Sequence, residues 1–334
     1  MNKSTFAFSL ILIIVVVYII GPQPEKPIYN IRLPLVKSNL QALSDSIDHA
    51  EALNTSVKLN NQARIVWADS LHKQTEWAIV YLHGFTASQM EGDPVHRNMA
   101  KKYGMNLYLA RLDGHGLAAD SALYHVTADG LWETSKKALA IGEKLGKKVI
   151  IMSTSTGGTL ALKLAQVYPD KVAALINYSP NIKINNSLAW MLNNPWGITI
   201  LNMQSEDGYV VTSGENDSII SQYWTTRYKT EALPQLQELI ETTMEKDVFK
   251  SIKSPSLTIA YYQDKDHQDP TVKVSAMKWM HKKLGTPKGE KKYVALGSVG
   301  VHPLASSLRS NDIEAVERET SVFLEEILQI KSIQ

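Results

Sequence analysis

The sequence lacks cysteine entirely among its 334 residues. Disulfide bonds and a lipid anchor attached through a cysteine are therefore excluded, and cysteine usage says nothing about the redox compartment. An excess of charge of either sign is also lacking, because 35 Lys and Arg residues face 33 Asp and Glu residues, a formal net charge of +2. No basic cluster with interleaved aromatic residues is present either, so the composition argues against a nucleic-acid partner.

An uncharged apolar run occurs at the N-terminus, over residues 6–20. With its flanks it would span roughly 25 Å, close to the ~30 Å hydrocarbon core of a bilayer. The residues that follow fit a small-x-small cleavage site poorly. We therefore predict a signal anchor over residues 1–21, with Lys3 inside, the membrane as a partner and the folded domain outside the cytoplasm. A cleaved signal peptide, leaving a secreted or periplasmic protein, is the alternative.

Residues 22–35 contain four prolines and predict an extended linker before a domain over residues 36–334. A helical pattern of apolar residues over 39–53 is followed by β-rich segments that alternate with helical ones. This alternation predicts an α/β fold with a doubly wound, mostly parallel sheet. The predicted strands cover residues 63–68, 77–84, 105–112, 148–153, 172–179, 256–262 and 291–296.

The alternation of strands and helices stops between about residues 181 and 254, where no core strand is evident. An unstructured loop of that length would be unusual in a compact domain. We predict a small, mainly helical cap inserted over one end of the sheet.

One strand-to-helix junction resembles the sequence motif that carries a serine nucleophile. The strand at 148–153 runs into Ser153-Thr154-Ser155-Thr156-Gly157, which matches the G-x-S-x-G nucleophile elbow except that Ser153 replaces the first glycine. Serine is small enough for the strand and the helix still to pack closely. The pattern predicts Ser155 as a nucleophile, and a serine- and threonine-rich helix cap is the alternative.

Two later loops supply a base and an acid in the chain order that this elbow uses, Ser, Asp, His. His302 follows the last predicted strand, so it is the predicted general base. The loop after the preceding strand contains Asp264, Asp266 and Asp269. We prefer Asp269 as the acid that orients the base, with Asp266 as the alternative. The D-x-D-x-x-D spacing also suggests a metal loop, but it lacks the glycine and the terminal glutamate of a calcium-binding hand.

Donors for an oxyanion are predicted where the strand at 77–84 ends. His83-Gly84-Phe85 follows that strand, and a glycine there allows a close approach of the backbone to a substrate oxygen. The backbone N–H groups of Phe85 and Thr156 are the predicted donors.

These motifs together resemble the α/β-hydrolase superfamily, and in particular its branch of monoglyceride lipases and bacterial carboxylesterases, over about residues 60–330. The resemblance implies a Ser155–Asp269–His302 triad, a cap over 181–254, a structural role for His115, and no metal or organic cofactor. The segments that carry it are YLHGFTAS (81–88), ARLDGHG (110–116), STSTGG (153–158) and GVH (300–302).

The expected function is that of a serine hydrolase acting on carboxylic esters, such as monoacylglycerols or short- and medium-chain acyl esters. The same triad can serve amide or peptide hydrolysis of the aminopeptidase type. Acidic residues of the cap would then bind the substrate's amino group; the candidates are Glu206, Asp207, Glu215 and Asp217. A non-catalytic, membrane-anchored binding protein on the same fold is a further alternative. The sequence makes no prediction of the oligomeric state.

Overall fold

The computed structural model describes residues 3–118 and 122–333. The strands are β1 (Arg64–Val66), β2 (Thr75–Leu82), β3 (Asn106–Leu109), β4 (Gly146–Thr154), β5 (Val172–Tyr178), β6 (Tyr209–Val211), β7 (Arg227–Lys229), β8 (Ser256–Tyr261) and β9 (Lys291–Leu296). The α-helices are α1 (Lys3–Ile19), α2 (Leu40–Leu53), α3 (Val95–Lys102), α4 (Ala128–Leu145), α5 (Thr156–Val167), α6 (Gly197–Gln204), α7 (Ser218–Tyr223), α8 (Ala232–Thr243), α9 (Lys246–Ser251), α10 (Val274–Lys283) and α11 (Ile313–Val322). Short 3₁₀ turns cover Gln89–Gly92, Ala189–Met191 and Lys288–Glu290, and a π-helical turn, Phe323–Ile327, continues α11.

A seven-stranded sheet in the order β1-β3-β2-β4-β5-β8-β9 forms the centre of the protein. Only the edge strand β1 pairs in the antiparallel sense, and the other pairs in this sheet are parallel. Its central strands are buried on both faces, because α4, α5 and α10 cover one face and α3 and α11 cover the other. Continuous apolar runs are what such two-sided burial requires. The predicted doubly wound, mostly parallel α/β fold is confirmed.

The N-terminal apolar run forms α1, a helix of 17 residues. At 1.5 Å per residue it is about 25 Å long. It ends before Gly21 and Pro22. At this end Trp196 packs against Gly21, and the indole N–H of Trp196 donates to the carbonyl of Val17 at 2.8 Å. Within residues 3–118 and 122–333, no helix has the length and apolar content needed to span a membrane. The prediction of a membrane-spanning anchor over residues 1–21 is therefore not supported; its first two residues lie outside the described residues.

The proline-rich segment after α1 is extended but packed against the domain. The backbone N–H of Tyr29 donates to the carboxylate of Asp129 at 2.7 Å. The indole N–H of Trp132 donates to the carbonyl of Asn30 at 2.8 Å. Both the acceptor and the donor side chain lie on α4, so the segment packs along that helix.

The segment at 181–254 contains more than the predicted helices. It includes α6 to α9 and also the antiparallel pair β6–β7, which the sequence analysis did not predict. Helix α8 packs against α4 and α5, and α9 packs against α10 and α5. The residues before α8 are the ones that reach the loop after β2, as described below.

Gly157 allows α5 to pack closely against the sheet. A Cβ atom added at this position would lie 2.0 Å from the carbonyl oxygen of Leu82 at the end of β2. Because that contact is with backbone, Gly157→Ala should lower the free energy of unfolding by about 2 kcal/mol or more, measured by urea denaturation. Gly289→Ala is the matched control, since its added Cβ meets nothing within 4 Å. Equal losses in the two variants would contradict this account of the packing.

Candidate active site

The predicted site residues gather at one edge of the sheet. Ser155 follows β4, Asp269 lies in the loop after β8, His302 follows β9, and Phe85 follows β2. These strands are parallel members of one sheet, so their carboxyl ends point to the same side. This is the edge where open α/β sheets bind ligands.

Ser155 occupies a sharp turn between β4 and α5, with φ 54° and ψ −119°. A positive φ at a residue other than glycine costs of order 1–3 kcal/mol and persists only where the surroundings hold it. Here the Ser155 N–H donates to the carbonyl of Tyr178 at 3.0 Å, and its carbonyl accepts from the N–H groups of Gly158 and Asn181, both at 2.8 Å. The backbone conformation of the elbow is therefore fixed from three sides.

Ser153, the other serine of the motif, lies within β4 and is fully buried. Its hydroxyl donates to the side-chain oxygen of Asn177 on β5 at 2.8 Å. The neighbouring strand thus supplies a partner for the hydroxyl of the serine that stands in place of the usual glycine. Of the two serines, Ser155 is the one at the turn.

Asp269 and His302 form a buried pair. The Nδ1–H of His302 donates to Oδ2 of Asp269 at 2.7 Å, and Oδ1 accepts from the N–H groups of Thr271 and Val272 at 2.9 and 3.0 Å. With Nδ1 donating to the carboxylate, Nε2 is the ring nitrogen left to accept a proton. Asp266, the alternative acid, is exposed, and Asp269 is the residue that bonds His302.

The pair shifts the titration of both members. Burial tends to raise the pKa of Asp269, but the charge and hydrogen bond of His302 outweigh it and hold this pKa below its ordinary value. Burial tends to lower the pKa of His302, but the Asp269 carboxylate, with a contribution from Glu91, raises it above its ordinary value. Among the described residues no hydrogen bond joins Ser155 to His302; such contacts often tighten only when substrate binds.

Two backbone N–H groups are available beside Ser155. Thr156 is the first residue of α5, so its N–H belongs to the positive end of the helix dipole. The carbonyl of Gly84 accepts from the ring Nδ1–H of His83 at 2.9 Å and from the N–H of Ala87 at 3.3 Å. In a trans peptide the N–H points opposite to the carbonyl, so these bonds set the direction of the Phe85 N–H. Neither N–H has a hydrogen-bond acceptor in the part of the chain that the structure describes.

The two histidines of the flanking motifs support this loop. Nε2 of His83 accepts from the N–H of Leu112 at 3.1 Å, and burial lowers the His83 pKa to about 4. Burial also holds the pKa of His115 well below its ordinary value. The ring of His115 packs edge-on against that of Phe85, with 5.6 Å between the ring centroids. Both rings are therefore neutral near pH 7 and hold the backbone around Phe85.

The cap reaches this loop through two contacts that sequence reasoning did not find. The N–H of Thr225 donates to the carbonyl of Thr86 at 2.7 Å, and the ring of Tyr228 packs edge-on against Phe85 at 5.9 Å. Six Trp and Tyr residues are spread through residues 190–228 of the sequence, but nothing in that pattern singles out Tyr228, which is 6% exposed. Trp190 is half-exposed, and Trp196 packs against α1.

In the acidic loop after β8, a histidine of the loop pairs with one of its carboxylates. The ring Nδ1 of His267 lies 3.0 Å from both carboxylate oxygens of Asp264. Over the described ranges, no group of three or more His, Asp and Glu side chains is arranged to hold a metal ion.

Solved structures of similar fold include several lipases and esterases. A structure of LipS and LipT, metagenome-derived lipolytic enzymes, superposes with a TM-score of 0.65 at 17% identity, covering 81% of this chain and 99% of that one. The monoacylglycerol lipase of Paleococcus ferrophilus gives 0.53 at 13% identity, covering 77% and 98%. Est1E from Butyrivibrio proteoclasticus, with ferulic acid bound, gives 0.53 at 18% identity, covering 80% and 95%. At these identities the likeness establishes a shared fold.

No protein of curated function matches the chain in sequence. The profile of the family described as serine aminopeptidase, S33, matches residues 73–246, just over half of the chain. The match begins just before β2, contains the whole elbow around Ser155, and extends past α8. The resemblance predicted from the motifs is confirmed: the chain belongs to the serine aminopeptidase S33 family of α/β-hydrolases.

Proposed function

We propose that the protein is a serine hydrolase that cleaves carboxylic esters. The observation that carries this proposal is the buried Asp269–His302 pair, joined at 2.7 Å, at the same sheet edge as Ser155 in its strained turn. A nucleophile at an elbow, a base and an acid that orients the base are the parts that acyl transfer by serine needs.

In the first half of the reaction, Oγ of Ser155 bonds to the acyl carbon while Nε2 of His302 takes the hydroxyl proton. The carbonyl oxygen becomes an oxyanion, held by the N–H groups of Phe85 and Thr156. The imidazolium of His302 is stabilised by the Asp269 carboxylate. When the tetrahedral intermediate collapses, the ester bond breaks and the alcohol leaves with the proton from His302.

In the second half, water attacks the acyl-enzyme, and His302 removes its proton. A second oxyanion forms and collapses, so the acid leaves and Ser155 regains its hydrogen. No cofactor enters either half.

Contacts around Phe85 favour an apolar acyl group. The ring of Phe85 lies between His115 and Tyr228, so the loop after β2 that carries the Phe85 N–H is lined by aromatic rings from the core and from the cap. Lipolytic enzymes, a monoacylglycerol lipase and an esterase share the fold. We therefore favour monoacylglycerols or short- and medium-chain acyl esters as substrates.

The aminopeptidase alternative finds less support in the cap. Of the four acidic residues that would bind an amino group, Glu206, Asp207 and Glu215 are exposed, and the carboxylate of Asp217 accepts from the first N–H groups of α7. A binding site for an ammonium group is usually more enclosed than this.

The test is a comparison of p-nitrophenyl esters from acetate to laurate with p-nitroanilides of amino acids. We expect turnover of the esters, with a maximum in kcat/KM at one chain length that measures the acyl site, and slower turnover of the anilides. Faster turnover of the anilides would establish the aminopeptidase alternative. A folded protein that turns over neither class would favour a binding protein.

A further inference from the structure

Glu91 is a buried carboxylate beside the candidate active site that the mechanism above does not use. It lies in the 3₁₀ turn Gln89–Gly92 and is 3% exposed. Its Oε2 accepts a hydrogen bond from the N–H of Gly84 at 2.5 Å. A Cβ atom built on Gly84 would lie 2.9 Å from both carboxylate oxygens of Glu91 and 2.9 Å from Cβ of Ser155. Gly84 therefore separates this carboxylate from the nucleophile by the thickness of the backbone.

The same turn is tied to the loop that carries His302. The carbonyl of Met90 accepts from the hydroxyl of Ser306 at 2.8 Å, and the carbonyl of Asp93 accepts from the N–H of Ser307 at 2.8 Å. Glu91 is thus placed where the loop of an oxyanion donor and the loop of the base meet.

We propose that Glu91 is a positioning residue for acyl transfer: its ionised carboxylate holds the Gly84–Phe85 backbone and supports the positive charge that forms on His302. This inference rests on the function proposed above. Its chemical basis is that a hydrogen bond to a carboxylate is roughly twice as strong as one to a neutral acceptor. Protonation of Glu91 would therefore loosen the loop that presents the Phe85 N–H.

The groups that face Glu91 make its ionisation relevant near neutral pH. Burial raises the pKa of Glu91 to about 7, although the charge of His302 and the N–H of Gly84 oppose the rise. Tyr81 of β2, which also interacts with Glu91, stays neutral because burial raises its pKa well above the ordinary value. Since Glu91 and His302 each favour the charged form of the other, the two titrate as a coupled pair.

The direction of the pH effect follows from these shifts. Activity requires neutral His302 before the reaction, and under this proposal full activity also requires ionised Glu91. Both conditions are lost as the pH falls. The carboxylate also repels the developing oxyanion, but the imidazolium forms at the same moment, so the two effects on the transition state largely offset each other. The positioning of the loop then decides the outcome.

The experiment measures kcat/KM for p-nitrophenyl acetate between pH 5 and 9 in the wild type and in Glu91→Gln. In the wild type we expect the acid limb of the logarithmic profile to be steeper than a slope of about 1, because protonation of His302 abolishes activity and protonation of Glu91 lowers it further. In Glu91→Gln the slope should fall to about 1, and the midpoint should move to lower pH, because His302 loses a charge that raises its pKa. At pH 8 the variant should be slower by about tenfold, since the amide accepts only a weaker hydrogen bond from Gly84.

Glu238→Gln is the matched control, because Glu238 is a fully buried carboxylate on α8 that pairs with Lys26. It should leave the slope and midpoint unchanged. If Glu91→Gln does not fold, the wild-type slope alone still decides. A wild-type slope of about 1, or a Glu91→Gln profile that coincides with it, would overturn the role of Glu91 while ester turnover keeps the proposed function. Loss of turnover in the wild type itself would instead overturn that function.

Discussion

Replacing Ser155 with alanine should lower kcat for p-nitrophenyl butyrate by about 10⁶-fold. The variant lacks the oxygen that bonds to the acyl carbon, so only substrate binding and the oxyanion donors remain. The side chain is 5% exposed, and the turn is held by backbone hydrogen bonds, so the variant should fold. Stopped assays over hours measure the residual rate, and circular dichroism checks the fold.

Ser153→Ala is the matched control for this change. It removes a buried hydroxyl only two residues away and leaves the acceptor on Asn177 unpaired. We expect a loss of about 1–3 kcal/mol in the free energy of unfolding with turnover retained. Abolished turnover in Ser153→Ala together with an active Ser155→Ala would assign the nucleophile to the other serine and contradict the proposed mechanism.

Asp269→Asn should lower kcat by about 10⁴-fold at pH 8. The amide no longer fixes the Nδ1–H tautomer of His302 and no longer stabilises the imidazolium. The carboxylate is also what raises the pKa of His302, so the acid limb of the remaining activity should move to lower pH. A pH profile of kcat/KM measures both effects in one series.

Asp266→Asn is the control for the acid, because Asp266 is an exposed carboxylate of the same loop. Its kcat should stay within about twofold of the wild type, as for an exposed surface substitution. A large loss in Asp266→Asn with little change in Asp269→Asn would mean that the loop rearranges when substrate binds, and it would contradict the pairing seen in the structure.

The central sheet could be predicted from the sequence because its strands are buried on both faces. The segments at 77–84 and 148–153 are nearly continuous apolar runs, and both became central strands. The same reasoning does not reach β6–β7, whose strands are three residues long and lie in the cap. Too few residues alternate there for a pattern to emerge.

The choice between Asp266 and Asp269 needed tertiary structure. Asp269 lies eight residues beyond the end of β8, three residues farther along the chain than Asp266. The loop folds back through a bridge between Tyr262 and Gln268, and the N–H of Asp269 then donates to the carbonyl of Tyr261 at 3.1 Å. Residues 263–267 are exposed, and the chain folds back so that Asp269 lies beside the end of β8. The number of residues between the strand and the acid could not show this.

Two further features depend on contacts between distant segments. The N-terminal run predicted a membrane anchor from its composition, but the helix ends at Ile19, where the chain meets Trp196 of the cap. Glu91 stands among polar residues in a segment that reads as a surface loop. Its burial comes from packing against Gly84 and the His302 loop, which no local pattern encodes.

The most direct test of the account is to identify the residue that a fluorophosphonate probe modifies. The full chain is labelled, digested and analysed by tandem mass spectrometry. We predict a single adduct on Ser155, lost in Ser155→Ala and retained in Ser153→Ala. An adduct on Ser153 or on another serine, or no adduct on a protein that hydrolyses esters, would contradict the assignment of Ser155 as the nucleophile.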